Sequence, residues 1–487
     1  MQKQKSLKIN FIMNAFLTMS SFIFPLITFP YISRILLPEG TGKVSFATSV
    51  ISYFVILAQL GIPTYGIRAC AKVRDNREEL SKTAHELLII NIIMCCFSYL
   101  ILGILLMTVP KFKSEKTLLI IVSLTLLFNT IGMEWLYKAL EQYMYITIRS
   151  IIFKVIAVIA MFLLVHEKSD YIIYGAISIF ASSASNIFNL INVHKYINLK
   201  PIGNYNLKQH LKPVFIFFAI SCAATIYTNL DTVMLGFIKT DSDVGCYNAA
   251  VRIKSILVSI VTSLGVVLLP RASYYLEHNM ISEFYKITKK AINFVFIIAV
   301  PLMAYFILFA KEGIFLLSGS AYIGAVKPMQ IIMPTLVFIG LTNIMGIQML
   351  VPMGKEKIVL YSEIAGALVD LVINIVLIPR WASAGAAIGT LVAEIIVWIV
   401  QYCALRKDVK SAYLTIDYKT ILWAILMAIV GVVWVKTLSI NVFFKLIISA
   451  VMFFGIYFGV LMIRKDELTI EMKNQLVLLI GKKFNKN

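Results

Sequence analysis

Runs of 18 or more predominantly apolar residues recur from one end of the chain to the other. Each run is long enough to cross a hydrocarbon layer of ~30 Å as an α-helix. The first run, residues 7–36, is longer than the core of a signal peptide and lacks a small-residue cleavage site, so we expect it to be retained as a span. Charged residues make up only 14% of the chain, whereas soluble domains carry about 25%. The sequence therefore predicts an all-α polytopic membrane protein.

The apolar runs divide into fourteen predicted transmembrane spans. Their limits are 9–34, 43–61, 83–109, 117–137, 146–165, 171–193, 213–237, 243–268, 290–310, 326–352, 357–378, 384–404, 418–436 and 442–463. If the N-terminus is cytoplasmic, most of the 45 Lys and Arg residues fall in cytoplasmic segments or at their membrane edges. The positive-inside rule therefore predicts that both termini are cytoplasmic. The net charge of +20 then matches an anionic inner leaflet, and we predict no nucleic-acid partner.

The connections between the predicted spans are short, so none can hold a nucleotide-binding or catalytic domain. Gly40-Thr41-Gly42-Lys43 lacks both the spacing and the hydroxyl residue of a phosphate-binding P-loop. The six cysteines show no CxxC spacing, so neither a zinc site nor a disulfide framework is indicated. We expect a transport protein that is not an enzyme, with no cofactor other than a coupling ion.

The pattern N-x-x-G-x-[EQ]-x-L occurs twice, at 129–136 in span 4 and at 343–350 in span 10, with an offset of 214 residues. Two shorter matches, Tyr174-Gly175-Ala176 with Ala384-Gly385-Ala386 and Leu60-Gly61 with Leu264-Gly265, have offsets of 210 and 204. Each match joins spans that are six apart, and an even number leaves both halves in the same orientation. We therefore predict two parallel six-helix lobes, 1–200 and 201–410, followed by two further helices and a basic tail, 411–487.

Polar side chains recur at steps of three, four or seven residues along spans 1, 2, 7 and 8, which places them on one face of each helix. In span 1 this polar stripe consists of Asn10, Asn14, Thr18, Ser21 and Thr28. Hydrogen bonds between packed helices would also explain any single stripe. Arg252, however, lies at least roughly 14 Å from either end of span 8. A charge at that depth costs at least ~2.5 kcal/mol unless water or a partner receives it. We therefore predict a water-filled cavity between the lobes, lined by these four spans.

The residues predicted to line this cavity are Asn14, Thr18, Arg34, Lys43, Ser52, Arg68, Arg149, Lys154, Asn248, Arg252, Ser255, Ser259 and Arg271. Snorkelling to the membrane interface would equally explain the four basic residues near span ends, Arg34, Lys43, Arg68 and Arg271. All the predicted cavity charges are basic, and a guanidinium group can donate two hydrogen bonds to a phosphate or carboxylate. The cavity therefore predicts a substrate with negative charge.

The chain resembles the Wzx-type flippases of bacterial surface polysaccharides, which belong to the multidrug/oligosaccharidyl-lipid/polysaccharide (MOP) exporter superfamily. The resemblance is carried by LPEGTGKVSFA at 37–47, SYF at 52–54, LGIPTYGIR at 60–68 and NLDTVMLG at 229–236. It extends over essentially the whole chain and implies a MATE-like fold in the bacterial cytoplasmic membrane. It also implies movement of an undecaprenyl-pyrophosphate-linked oligosaccharide repeat unit to the outer leaflet by alternating access, for a capsule or O-antigen. A polysaccharide polymerase and glycosyltransferases would then be partners.

Two other functions remain open from the residues alone. One is a flippase for a peptidoglycan precursor of the lipid II type, and the other is a cation-coupled multidrug antiporter. An antiporter for cationic drugs should have acidic and aromatic cavity walls, whereas the predicted cavity charges are basic. The residues therefore favour an anionic lipid substrate.

The second half of the chain carries buried oxygen ligands at one predicted depth. Asp231, Asp370 and Thr390 each lie roughly 10 Å below the outer surface, at 1.5 Å per residue. With Asn374 and Glu394, each one helical turn away, they could bind sodium, which prefers oxygen ligands, or carry protons. A cation site in flippases of this superfamily is similar, although Glu394 is not part of that resemblance. Protonated acids that only pack helices are the alternative.

Pro25 and Pro30 lie five residues apart in span 1, and each removes a backbone hydrogen bond. Because they bend the outer half of a helix with a polar stripe, we predict an outward gate there. A static packing kink would also explain them.

Overall fold

The computed structural model describes residues 7–466, 469–471 and 473. All regular secondary structure in these ranges is helical, which confirms the predicted all-α class. The chain divides into two compact units, Met1–Asn248 and Ala249–Asn487, which we describe separately. This boundary lies inside a helix near the start of predicted span 8, and the predicted lobe limits stay a prediction.

The first unit contains ten α-helices and the start of an eleventh among its described residues. They are α1 (Leu7–Gln59), α2 (Ile62–Lys72), α3 (Arg77–Thr108), α4 (Pro110–Ser114), α5 (Lys116–Gly132), α6 (Glu134–Ala139), α7 (Tyr143–Leu164), α8 (Tyr171–Ser182), α9 (Ile187–Asn192), α10 (Lys208–Ile238) and α11 (Asp241–Glu277). Short 3₁₀ turns lie at Lys168–Asp170, Ala184–Asn186 and Val193–Lys195.

The second unit continues α11 and adds α12 (Ile281–Leu308), α13 (Ala310–Ser318), α14 (Val326–Ile332), α15 (Thr335–Thr342), α16 (Glu356–Leu414), α17 (Tyr418–Val432) and α18 (Val442–Ile463). Between them lie 3₁₀ turns at Ser320–Ala325 and Val433–Thr437 and a π-helix at Asn343–Leu350.

In the described ranges, nine helices are long and apolar enough to cross a membrane, or up to eleven if each of two bent pairs counts as one span. The bent pairs are Lys168–Ser182 with Ala184–Lys195, at 42°, and Ser320–Ile332 with Thr335–Leu350, at 48°. The chain is therefore a multi-pass membrane protein. The number fourteen stays a prediction.

Two of the longest helices each contain one non-helical residue, at a position between two predicted spans. In α1 this residue is Leu37 (φ 57°, ψ −179°), and in α16 it is Ala382 (φ 47°, ψ −126°). Leu37 precedes Pro38, whose ring disfavours the α-helical conformation in the preceding residue. The chain therefore turns between spans 1 and 2 where the sequence requires a break.

Connections that are predicted to be cytoplasmic meet at one end of the first unit. Glu141 accepts hydrogen bonds from Arg74 Nη1 at 2.8 Å and from Asn10 Nδ2 at 3.3 Å. The hydrogen bond and charge of Glu141 raise the pKa of Arg74. Glu86, fully buried on α3, accepts hydrogen bonds from the backbone N–H of Asn206 at 2.7 Å and from Gln209 at 2.9 Å. These bonds fasten the start of α10 and the residues just before it to α3.

The repeated motif interrupts the α-helix in both units. In the first copy, α5 ends at Gly132, Met133 takes a left-handed conformation (φ 41°, ψ 42°), and α6 begins at Glu134. In the second copy, the same eight positions form the π-helix Asn343–Leu350. Both interruptions lie near the end of a predicted span, at matching places in the repeat.

Candidate functional site

Lys154, on α7, contacts the helix that carries the polar stripe of predicted span 1. Lys154 Nζ donates hydrogen bonds to Ser20 Oγ at 2.8 Å and to Ser21 Oγ at 3.0 Å. Seven residues earlier on the same helix, Thr147 Oγ1 donates to the carbonyl of Met13 at 2.9 Å. The structure thus brings one predicted cavity residue, Lys154, to the stripe that the sequence predicts to face water.

Lys154 is the twelfth residue of the 22-residue helix α7, so it lies roughly 15 Å from either helix end. Its side chain is half-buried, and in the described part of the chain no carboxylate lies within 4.0 Å of its ammonium group. A cation at the centre of a transmembrane helix costs at least ~2.5 kcal/mol unless its charge is compensated. Two neutral hydroxyl groups compensate it only in part.

Arg149, five residues before Lys154, has different surroundings. Its Nη2 lies 3.2 Å from Glu134 Oε2, and its Nη1 donates to the carbonyl of Ser185 at 2.8 Å. The side chain is buried, and Glu134 also pairs with Lys138 at 2.8 Å. Arg149 therefore has a charge partner within the first unit, whereas Lys154 has hydroxyl partners.

The polar residues predicted to line the cavity in the first unit bond mainly to their own helices. Asn14 and Thr18 are exposed, and Thr18 Oγ1 donates to the carbonyl of Asn14 at 3.0 Å. Ser52 donates to the carbonyl of Ser49 at 2.7 Å, and Asn248 donates to the carbonyl of Val244 at 3.0 Å. Internal bonds of this kind leave hydroxyl and amide groups on the helix surface.

The three predicted basic residues nearest to span ends lie at opposite ends of the first unit. Arg34 is exposed and donates a hydrogen bond to the carbonyl of Pro30, while Arg68 is exposed on α2. Lys43 is half-buried between two carboxylates, 3.4 Å from Glu39 and 3.3 Å from Glu115. Lys43 thus belongs to an ion-paired cluster at the predicted outer end.

Helix α1 continues through both prolines of the predicted gate. Pro25 and Pro30 lie inside α1, and the non-helical residue of this helix is Leu37, seven positions after Pro30. The gate role of Pro25 and Pro30 stays a prediction.

Four predicted cavity residues lie in the second unit. Arg252 is half-buried and Arg271 is exposed. Ser255 and Ser259 are exposed and donate to the carbonyls of Val251 at 2.8 Å and Ile256 at 2.6 Å. Because the candidates divide between the two units, the cavity between the lobes stays a prediction.

Four of the five predicted ion ligands lie on the two halves of α16. Asp370, Asn374 and Glu394 are buried, and Thr390 is half-buried. A Cβ atom at Gly389 would lie 2.7 Å from Asp370 Oδ1 and 3.0 Å from Asn374 Cγ. The absence of a side chain at Gly389 therefore lets the helix half that carries Thr390 approach Asp370 and Asn374 closely.

Asp231, the fifth predicted ion ligand, lies in the first unit. It is buried, and the hydroxyl of Tyr247 on α11 donates a hydrogen bond to its Oδ2. Within the described residues, no cluster of three or more His, Cys, Asp or Glu side chains could hold a metal ion. Any cation here would therefore need hydroxyl, amide or carbonyl oxygens beside the carboxylates, as sodium accepts.

Sequence reasoning missed three partners that the structure supplies. Ser20 lies beside the predicted stripe residue Ser21, so the step of three to seven residues excluded it. Tyr247 and Glu134 are the others, and only their contacts with Asp231 and Arg149 reveal them. Tyr247 is 16 residues from Asp231 and lies on a different helix, so the spacing of residues along one helix could not predict this contact.

Residues 7–276 match the model of the protein family described as "Polysaccharide biosynthesis protein", which is more than half of the chain. The chain belongs to this family. Residues 217–376 also match the MatE family. The chain is 27% identical over 405 residues to the "Putative O-antigen transporter" of Escherichia coli (strain K12), covering 83% of this chain and 97% of the relative.

Two solved structures share the fold of this chain. The lipid II flippase MurJ, in an inward closed conformation, has a TM-score of 0.65 at 16% identity and covers 92% of this chain and 99% of its own. An inward-facing MATE family transporter of the MOP superfamily has a TM-score of 0.62 at 15% identity, with coverages of 82% and 99%. The family matches confirm the predicted resemblance to the MOP exporter superfamily.

Proposed function

We propose that this polysaccharide biosynthesis protein is a flippase for an undecaprenyl-pyrophosphate-linked oligosaccharide repeat unit. It moves this lipid from the inner to the outer leaflet of the bacterial cytoplasmic membrane, with both of its own termini in the cytoplasm. The family to which the chain belongs and the name of the Escherichia coli relative support a glycan substrate. The glycosyltransferases that build the repeat unit and the polymerase that joins repeat units act before and after it.

The observation that carries the proposal is the position of Lys154. Its ammonium group lies at the middle of α7 and bonds to the hydroxyl groups of Ser20 and Ser21. An anionic phosphate that enters along span 1 would compensate this charge, and lysine binds phosphate as a point charge. A cationic drug would meet repulsion at the same place, so the position favours a pyrophosphate lipid over an antiporter substrate.

The other predicted cavity residues have supporting roles in this proposal. The second predicted cation is Arg252, which is half-buried on α11, eleven residues after the helix begins. Asn14 and Thr18, exposed on the same stripe as Ser21, present the polar groups that a sugar requires. The substrate would thus contact positive charges through its pyrophosphate and neutral polar groups through its glycan.

Coupling to a sodium or proton gradient belongs to the same proposal. Buried carboxylates within membrane spans usually mark ion or proton pathways. Asp370 is buried beside Asn374, and Gly389 brings Thr390 close to both. Occupation of this site from the outside would favour the outward-facing arrangement, and its release to the cytoplasm would reset the cycle.

The test is translocation of a fluorescent undecaprenyl-pyrophosphate-linked saccharide in proteoliposomes. Lys154→Met should lower the rate at least tenfold and yet raise thermal stability, because it removes a charge from the bilayer centre. Lys154→Arg should keep much of the rate, since the charge remains. Lys116→Met, at an exposed lysine at the start of α5, is the matched control and should leave the rate unchanged.

A native rate in well-folded Lys154→Met would overturn the proposed role of the cation. Lipid II and a cationic dye serve as comparison substrates, and faster transport of either one would replace the proposed substrate. The same vesicles with imposed sodium or proton gradients test coupling, with Asp231→Asn and Asp370→Asn against the native chain. If both variants respond to both gradients as the native chain does, the coupling site lies elsewhere.

A further inference from the structure

Four connections that are predicted to lie outside the membrane meet at one end of the first unit. They supply Pro38–Lys43 from α1, Lys111 and Glu115 from the segment around α4, Tyr171 at the start of α8, and Asp241–Gly245 from the first turn of α11. We call these residues the outer cluster. It joins the first predicted lobe to residues that the repeat assigns to the second lobe.

The centre of the outer cluster is a contact between two backbones. A Cβ atom at Gly42 would lie 2.7 Å from the carbonyl carbon of Asp241 and 3.0 Å from the backbone nitrogen of Gly245. A Cβ atom at Gly245 would lie 2.7 Å from the carbonyl carbon and 2.9 Å from the Cα of Pro38. The atoms in these contacts are backbone atoms, so no rotation of a side chain can make room for an added methyl group.

Ion pairs surround this backbone contact. Lys111 Nζ lies 2.6 Å from Asp241 Oδ1, and both side chains are largely covered. Lys43 Nζ lies 3.3 Å from Glu115 Oε1 and 4.8 Å from the ring centre of Tyr171. The Lys111–Asp241 pair crosses from the first predicted lobe to α11, whereas the Lys43 contacts stay within the first lobe.

Three aromatic side chains, Phe46, Phe112 and Phe237, pack together beside these ion pairs. The ring centre of Phe46 lies 5.3 Å from that of Phe237 on α10, and the ring centre of Phe112 lies 5.7 Å from that of Phe237. Cys246, next to Gly245 in the chain, is only 6% exposed. Because the backbone of Gly245 contacts Pro38 of α1, we expect separation of α1 from the first turn of α11 to expose Cys246 to water from the outer side.

We propose that the outer cluster is the closed outer gate of the transport cycle, with the Gly42 and Gly245 backbone contacts as its seal and the Lys111–Asp241 pair as its latch. The gate rests on the proposed function, because a flippase must open to the outer leaflet. Backbones that touch without interlocking side chains separate without disrupting a packed core. When the two segments separate, water can solvate Lys111 and Asp241 and replace the lost ion pair. Opening moves α11 away from α1 and admits water to Cys246.

The native cysteine provides a direct measurement. Cys246 is kept as the sole cysteine by changing Cys70, Cys95, Cys96, Cys222 and Cys403 to Ala. A membrane-impermeant maleimide is then applied to intact cells, and the rate of Cys246 labelling is followed. Gly42→Ala should raise this rate roughly tenfold or more, because the added methyl group is incompatible with the closed contact. Gly103→Ala, where an added Cβ meets nothing within 4 Å, is the matched control and should label at the native rate.

The latch is tested independently of the seal, so that a poorly folded Gly42→Ala does not decide the outcome. Lys111→Asp and Asp241→Lys should each raise the labelling rate, and the double exchange should bring it back towards the native rate. A native labelling rate in both single variants, or faster labelling only in inside-out vesicles, would overturn the gate. This measurement needs no substrate, so its failure and that of the substrate proposal are distinguishable.

Discussion

The two copies of N-x-x-G-x-[EQ]-x-L have matching residues and different backbones. At 129–136 the helix ends, turns through a left-handed Met133 and starts again, whereas at 343–350 it continues as a π-helix. In both copies the glycine faces an amide side chain from a helix about 55 residues later: Gly132 faces Asn186 and Gly346 faces Gln401. The shared residues therefore specify that the α-helix is interrupted beside an amide side chain. They do not specify whether the interruption is a left-handed turn or a π-helix.

The hydrogen bonds of the first and sixth motif positions explain the difference. In the second copy, Gln348 Nε2 donates to Asn343 Oδ1 at 3.2 Å. These residues are five apart, which is the spacing that one turn of a π-helix brings together. In the first copy, Asn129 instead accepts from Asn186 at 3.1 Å, and Glu134 pairs with Arg149. In the second unit the motif residues therefore bond to each other, whereas in the first unit they bond to residues of neighbouring segments.

Exchange of the sixth residue between the copies should have the largest effect. Gln348→Glu removes the amide donor and places a charge where only 3% of the side chain is exposed, so we expect a loss of about 3 kcal/mol. Glu134→Gln removes the charge that pairs with both Lys138 and the buried Arg149. Its carboxylate is one-third exposed and the amide oxygen can still accept from Arg149, so we expect a smaller loss of about 1 kcal/mol. Thermal unfolding in detergent, followed by size-exclusion chromatography, measures both. Equal losses would contradict the different partners described here.

The second largest difference is expected between the stability losses caused by alanine at the two motif glycines, Gly132 and Gly346. A Cβ atom at Gly132 would lie 2.5 Å from Asn186 Cβ, so Gly132→Ala should cost about 1–3 kcal/mol. At Gly346 the nearest atoms are the far end of the flexible Gln401 side chain, at 3.2 Å, which needs to shift by only a few tenths of an ångström. We expect Gly346→Ala to stay within about 1 kcal/mol of the native stability. Gly132→Ala combined with Asn186→Gly should recover part of the loss, and no recovery would show that another contact is responsible.

The smallest expected effects come from the first motif residue. Asn129→Ala and Asn343→Ala each remove one hydrogen bond, worth about 0.5–1.5 kcal/mol. The two losses should affect regions of different size. The Asn129 bond joins two separate segments, whereas the Asn343 bond stays within one helical turn. Hydrogen exchange should rise at both α5 and 184–192 in Asn129→Ala, and only around 343–350 in Asn343→Ala. The same spread in both variants would count against a self-contained second copy.

Several features of the fold follow from local sequence alone. Apolar runs of about twenty residues form membrane helices because the backbone must satisfy its own hydrogen bonds in lipid. The break at Leu37 follows from Pro38, and the glycines of the motif mark both interruptions. The same reasoning placed Lys154 within a span and predicted a polar stripe on span 1, because charge and spacing are read along one helix.

Contacts between helices were not predictable in the same way. Lys111 and Asp241 are 130 residues apart, and Lys154 and Ser20 are 134 apart. Whether two side chains so distant meet depends on which helix faces approach, and backbone contacts such as Gly42 on Asp241 set that approach. Likewise, the sixth motif residue is Glu134 in the first copy and Gln348 in the second. Its hydrogen-bond and ion-pair partners decide whether the helix breaks or continues as a π-helix.

The sequence by itself therefore determined that this protein is a helical membrane protein with basic groups inside its spans, since hydropathy and charge act over one helix length. Only the tertiary structure decided which of those groups keep neutral partners, which pair with carboxylates and where the outer cluster closes. Those outcomes depend on close packing of distant segments, in which a single methyl group or one carboxylate changes what can touch.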